Sequence, residues 1–174
     1  LVKEDIFNYK VSISSKEMDK GTNLEDDSIE LYNLVRFTNY EKNDERLSND
    51  YIQGECDING EDVIIDIKTS WSLETFPACP SDIDAKGYEW QLRGYMWLYG
   101  KPKAELAYCM VSTPDYLLKD WDDLDIHKVE SIDPVLRLTT ISFERDEELE
   151  QKIIEKVEAA RIFYNEYKAE VLNK

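Results

Sequence analysis

The sequence predicts an α/β fold: a small mixed β-sheet flanked by helices. Three observations carry the prediction. The elements follow in the order helix, hairpin, helix, strand, strand, helix. An Asn59-Gly60 pair stands between two runs rich in β-branched and aromatic residues. Residues 146–172 place Ile153, Ile154, Val157, Ala160, Tyr164 and Val171 along one side of a long closing helix.

Each element has its own signal. Residues 23–37 open with a capping-type pattern and then repeat apolar side chains at Ile29, Tyr32, Leu34 and Val35, which predicts the first helix. Residues 51–58 and 62–70 predict two antiparallel strands, with Asn59-Gly60 as a turn whose central residues take positive φ. Residues 71–84, interrupted by Pro77 and Pro80, predict a loop. Residues 85–99 carry Tyr88, Leu92, Tyr95, Met96 and Tyr99 at helical spacing, and Gly100 and Pro102 stop that helix. Residues 105–113 predict a strand ended by Pro114, and 135–143 a last strand. The acidic, aromatic segment 116–134 has no readable periodicity. No repeat, low-complexity tract or linker divides the 174 residues, which predicts one domain over 1–174.

Lysine and arginine number 21 against 38 acidic residues, a formal net charge of −17. Such a balance excludes a generally basic nucleic-acid coat, because non-specific affinity for DNA comes from cations meeting phosphates. It does not exclude DNA held in a local groove. No apolar run reaches the length of a membrane helix, and the opening residues do not read as a secretory leader, so a cytosolic chain is expected. Three widely spaced cysteines, Cys56, Cys79 and Cys109, fit reduced thiols and exclude a four-cysteine cluster. The single histidine, His127, excludes a zinc site of several imidazoles, and its acidic surroundings predict a surface position.

The chemistry concentrates on the hairpin. Side chains alternate across a strand, so in Val63-Ile64-Ile65-Asp66-Ile67-Lys68 the Asp66 and Lys68 side chains share one face and Ile65 and Ile67 the other. A carboxylate and an ammonium in an otherwise apolar strand are costly unless paired or used. Alone, Asp-x-Lys reads as a surface salt bridge worth under about 1 kcal/mol. Around it stand Gly21-x-x-x-Glu25 at the first helix start, Gly54-x-x-Asp57 at the end of the first strand, and Gln91-x-x-x-Tyr95, four apart and so on one helical face.

These four motifs, in this order, resemble the PD-(D/E)XK nuclease superfamily, and within it the RecB-like and phage exonuclease branch (lambda-type, YqaJ-like). Cys56 stands where the superfamily's name has proline. The resemblance implies a restriction-endonuclease-like core and a metal-dependent DNA nuclease, an exonuclease of phage or bacterial recombination or repair. It also implies a DNA substrate, a single-strand annealing or recombination protein and further copies of the chain as partners, and the cytoplasm of a bacterial cell or phage-infected host. The iron–sulfur cluster of some relatives is not expected with three cysteines.

Phosphodiester cleavage requires an activated water, neutralised phosphoryl oxygens and a stabilised leaving oxygen, and hard carboxylates suit Mg2+ or Mn2+. In this reading Asp57 and Asp66 are the core ligands, Glu25 completes or water-bridges the shell, and the Ile67 carbonyl is a fourth donor. Lys68 orients the attacking water or offsets developing charge. Gln91 and Tyr95 bind the DNA backbone or hold Lys68; Thr69 and Ser70 bond a phosphate or merely cap the strand. Three acids so crowded are expected to converge and to raise at least one pKa.

Plainer roles stand beside these. Glu25 complements a helix dipole without any metal, Tyr95 packs in a core, and Trp71, Trp90, Trp97 and Trp121 are core candidates, with Trp71 alone considered for base stacking. The cysteines read as small buried hydrophobes. Lys86, Arg93, Lys101 and Lys103 form either a DNA-facing patch or an ordinary solvated face. The rival class is a catalytically silent acidic module that kept the fold for protein binding or DNA mimicry.

Overall fold

The computed structural model describes residues 1–173 and packs them as two compact units. The first joins Leu1–Ser14 to the chain from Asp146 onward. It pairs α1 (Val2–Phe7) with the long α5 (Glu147–Leu172), and Tyr164 and Lys168 on α5 both reach the Asp5 carboxylate at 2.5 Å. Asp146 caps α5 by accepting the N–H groups of Glu148 and Leu149. Ile162 and Phe163 remain exposed on it.

The second unit, Ser15–Arg145, holds the sheet. Its elements are α2 (Lys16–Asn23), α3 (Glu25–Arg36), β1 (Leu47–Ser48), β2 (Gln53–Gly54), β3 (Ile58–Asn59), β4 (Val63–Thr69), α4 (Lys86–Tyr99), β5 (Lys103–Cys109) and β6 (Leu138–Glu144). The four-stranded sheet runs β3-β4-β5-β6, antiparallel, parallel, antiparallel. The parallel pair requires a crossover, and α4 supplies it. Period-two alternation along β4 sorts the core. Ile65 and Ile67 join Ile29, Leu31 and Tyr32 of α3, while Ile64 joins Leu92 and Met96 of α4. The expected small mixed sheet between helices is the architecture found.

Four local readings are corrected. The stretch 51–58 is not one strand: β2 pairs with β1, and β3 keeps only two residues against β4. The hairpin is present but its turn lies two residues later, since Gly60 N–H donates to the Val63 carbonyl at 2.9 Å and neither Asn59 nor Gly60 has positive φ. Gly60 is instead the place where a Cβ would sit 3.0 Å from the Val63 carbonyl oxygen and 3.2 Å from the Tyr40 ring. Helix α2, capped by Ser15 accepting from Met18 N–H, precedes α3 and has too little apolar periodicity to be read. The strand expected at 135–143 begins at Leu138, because Asp133 and Pro134 initiate a 3-10 turn over Pro134–Arg137.

Candidate active site

The site is built on the side of β4 that faces α4. Continuing the Ile58–Ile65 register by one residue sets Asp57 opposite Asp66. β3 has left the ladder there, so the Ile67 N–H lacks a strand partner on that side, and the Asp57 carboxylate accepts it at 2.6 Å. The Asp57 backbone carbonyl is taken by Asn43 N–H at 2.8 Å. Thus one side chain both closes the gap in the sheet and brings its charge beside Asp66.

Asp66 is 2% exposed. Its Oδ2 lies 2.5 Å from Lys68 Nζ, an ion pair in which Oδ2 receives no directed hydrogen bond. Its Oδ1 lies 3.4 Å from Gln91 Nε2, a long contact, and the same Nε2 donates to the Tyr95 hydroxyl at 2.8 Å. Lys68 Nζ also sits 5.0 Å from the Tyr88 ring centre, a cation–π contact that holds the ammonium over the site. Gly54 makes room for Tyr95: a Cβ there would come within 2.4 Å of the ring. The glycine of Gly54-x-x-Asp57 therefore has a steric reason.

The electrostatics are those of crowded acids. Burial, and then the neighbouring Asp66 charge, push the Asp57 carboxyl up to about 7. Burial also raises Asp66, against the pull of Lys68. Burial alone would lower Lys68, but the Asp66 carboxylate outweighs it and keeps the ammonium charged.

The structure brings Asp57, Asp66 and Lys68 together, with Gln91 and Tyr95 at their edge. It does not bring Glu25 into contact with them: among the described residues no three carboxylate, imidazole or thiol side chains converge as a metal cage. Glu25 opens α3 as expected, but Lys42 Nζ holds it at 3.0 Å. Its charge still reaches Asp57 and Asp66. The Thr69 hydroxyl turns to Ser28 of α3 at 2.8 Å, away from the acids. Ser70 is buried, its hydroxyl without a hydrogen-bond partner.

Several surrounding expectations are corrected. His127 is buried, because Thr113 Oγ1 meets its Nδ1 at 3.0 Å and Trp71 packs edge-on at 5.0 Å. Trp71 is thereby engaged, with Lys16 Nζ 5.4 Å from its ring centre. Trp90 and Trp121 are exposed rather than core. Cys56 and Cys109 are buried as expected, but Cys79 is exposed in the β4–α4 loop. Gln91 is exposed rather than on a buried face. Of the four cations around α4, Arg93 pairs with Glu89, Lys103 with Glu144, and Lys101 donates to the Gly60 and Glu61 carbonyls; Lys86 carries no ion pair among the described residues.

Two lysines escaped the sequence reading. Lys20 is fully buried and donates to the carbonyls of Ser70, Trp71 and Val111 at 2.7, 2.9 and 2.8 Å, tying α2 to the exits of β4 and β5. Lys42 lies in a loop with no motif. Neither carries a local signal, since a lysine is ordinarily solvated.

Two opposed carboxylates, Asp66 buried and Asp57 raised first by burial and then by the Asp66 charge, with the Lys68 ammonium paired to Asp66, form a donor pair that suits a hard metal ion. One or two carboxylates and retained waters are what Mg2+ takes from a protein.

No family model matches the chain, and no curated protein matches it. Solved structures do. A phage-related exonuclease from Haemophilus somnus 129PT is 35% identical, with a TM-score of 0.91 over 98% of this chain and 80% of that one. An alkaline exonuclease from Laribacter hongkongensis shares the fold at 15% identity and a TM-score of 0.65, over 99% of this chain and 79% of that one. The same exonuclease in complex with dAMP gives 16% identity and a TM-score of 0.64 over 98% and 78%. With the four motifs in order, the two acids and the lysine convergent, and 35% identity over nearly its whole length, the chain belongs to the phage-type, lambda-like branch of the PD-(D/E)XK exonucleases.

Proposed function

We propose that the protein is a Mg2+- or Mn2+-dependent deoxyribonuclease that removes nucleotides from DNA ends, of the kind that serves phage or bacterial recombination and repair. The observation that carries this is the opposition of Asp57 and Asp66 with Lys68 at 2.5 Å from Asp66. The neighbour bound to dAMP is an exonuclease holding a nucleotide, which supports DNA as the substrate class.

Asp57 and Asp66 would hold the divalent ion, with the Ile67 carbonyl beside them and Glu25 reaching in. The ion would supply charge neutralisation at the phosphoryl oxygens and a lowered pKa for a bound water. Asp57 must shed the proton that burial favours before it ligates, and it must do so while keeping or exchanging its bond to Ile67 N–H. Lys68, anchored by Asp66 and by the Tyr88 ring, points its ammonium where negative charge develops on the phosphate or its attacking water. Gln91 and Tyr95, mutually bonded at the rim, brace Asp66 and offer donors to the DNA backbone.

The test is cleavage of end-labelled linear and closed circular duplex DNA with Mg2+, with Mn2+ and with EDTA. Loss of linear DNA alone, dependent on the cation, is the expected result. Cleavage of circles indicates an endonuclease. No cleavage of either, by protein that binds DNA or a protein partner, favours the silent acidic module.

A further inference from the structure

Glu25 stands apart from the two central acids for a visible reason: an ammonium already occupies it. We propose that Lys42 is an active-site residue that holds Glu25 in the metal-free protein and moves to a DNA backbone phosphate when Glu25 turns to the divalent ion. This deepens the proposed function and rests on it.

The placement of Lys42 is built, not incidental. Its loop is fastened at both ends. On the α3 side, Asn33 donates to the Tyr40 carbonyl at 2.9 Å and accepts from Tyr40 N–H at 2.9 Å and from the Thr38 hydroxyl at 2.8 Å. On the sheet side, Asn43 donates its backbone N–H to Asp57 at 2.8 Å and its side-chain amide to the Cys56 carbonyl at 3.0 Å. Lys42 is the residue next to that second anchor, and it meets Glu25 Oε1 at 3.0 Å. The Asn43 anchor lies on Asp57 itself, so the loop that carries Lys42 is tied directly to the acid that would ligate.

Charge makes the role specific. The chain carries −17, so its DNA contacts near the acids come from particular cations rather than from a generally basic surface. Lys68 is committed to Asp66, and three of the four cations around α4 are committed elsewhere. Lys42 is bound to a carboxylate that a metal ion would claim. Its side chain is 43% exposed against 23% for Glu25, so the pair lies in a solvated setting where such bridges contribute little and exchange readily. A released ammonium next to the cluster then faces the strand whose phosphate is held there.

Calorimetric titration with Mn2+ and fluorescence anisotropy with duplex DNA in Ca2+ test this on wild type, Lys42→Met and Lys42→Arg. Lys42→Met should bind Mn2+ about two- to fivefold more tightly, because the competing ammonium is gone. The same variant should bind DNA more weakly, with its log affinity against log salt less steep by about one unit, one phosphate contact fewer. Lys42→Arg should keep the wild-type salt slope. Unchanged Mn2+ affinity in Lys42→Met, or an unchanged salt slope, would overturn the proposal and leave Lys42–Glu25 a surface ion pair. Wild-type protein that binds no Mn2+ would instead overturn the metal reading of the site, and this proposal with it.

Discussion

Asp57→Asn should stabilise the metal-free protein at pH 8 while abolishing cleavage. The Asp57 carboxyl rises from its ordinary 3.8 to about 7 on folding. At about 1.4 kcal/mol per pH unit, that gap amounts to about 4 kcal/mol of destabilisation once the group is fully ionised. Relaxation around a partly solvated carboxylate reduces this, so about 1–4 kcal/mol is expected at pH 8. The sign follows from proton binding. Between pH 4 and 7 the folded chain holds a proton on Asp57 that the unfolded chain has lost, so stability falls as pH rises through that window and levels off above it. Asparagine carries no charge at any pH and can still accept the Ile67 N–H through its amide oxygen. Urea unfolding in EDTA at pH 4.5, 6, 7 and 8 measures the gap, which should grow with pH and close toward pH 4. Adding Mn2+ should stabilise wild type more than the variant. A variant no more stable than wild type at pH 8, or a gap of equal size at both ends of the pH range, would refute the reasoning. Asp66 would not serve this experiment, because an asparagine there would strand the Lys68 ammonium beside it.

Three further outcomes are expected. Lys68→Ala should lose most of its cleavage rate but keep Mn2+ affinity at or above wild type by calorimetry; in EDTA it should lose about 1–3 kcal/mol, because Asp66 is left buried and uncompensated. Gly54→Ala should cost about 1–3 kcal/mol in urea unfolding by driving the Tyr95 ring from its place, and the cost should shrink sharply in a Tyr95→Ala background, as a double-mutant cycle would show. Lys20→Met should destabilise by about 2–4 kcal/mol, since the buried Ser70 and Val111 carbonyls lose this donor and the Trp71 carbonyl is left with Thr113 alone. Burial draws the Lys20 pKa down to about 8, so the unfolded chain holds more protons between pH 8 and 10, and in that window the wild-type Lys20 contribution should favour folding increasingly as pH rises.

Features that depend on local spacing were legible in the chain. Alternation along β4 separated Asp66 and Lys68 from Ile65 and Ile67 before any coordinates, because the period of a strand is two. The i,i+4 spacing of Gln91 and Tyr95 put them in mutual contact for the same kind of reason. Gly100, in the left-handed conformation, ended α4 as expected. The order of four short motifs was enough to name the family, since order survives in a chain even when the distances between motifs drift.

Features that depend on residues remote in sequence emerged only on folding. The turn lies past Asn59-Gly60, and Gly60 instead fits where a side chain would meet Tyr40 and Val63, a contact that turn propensity cannot see. His127 went inward because Thr113 and Trp71 enclose it, although its own neighbours in the chain are acidic. Lys20 is fully buried because two strand exits present three carbonyls to it across 50 to 91 residues. Glu25 is paired with Lys42, 17 residues away along the chain and legible in no motif. Spacing within one element is written in the chain, whereas the competition of charges for one another is settled only when folding brings distant side chains within a few ångströms.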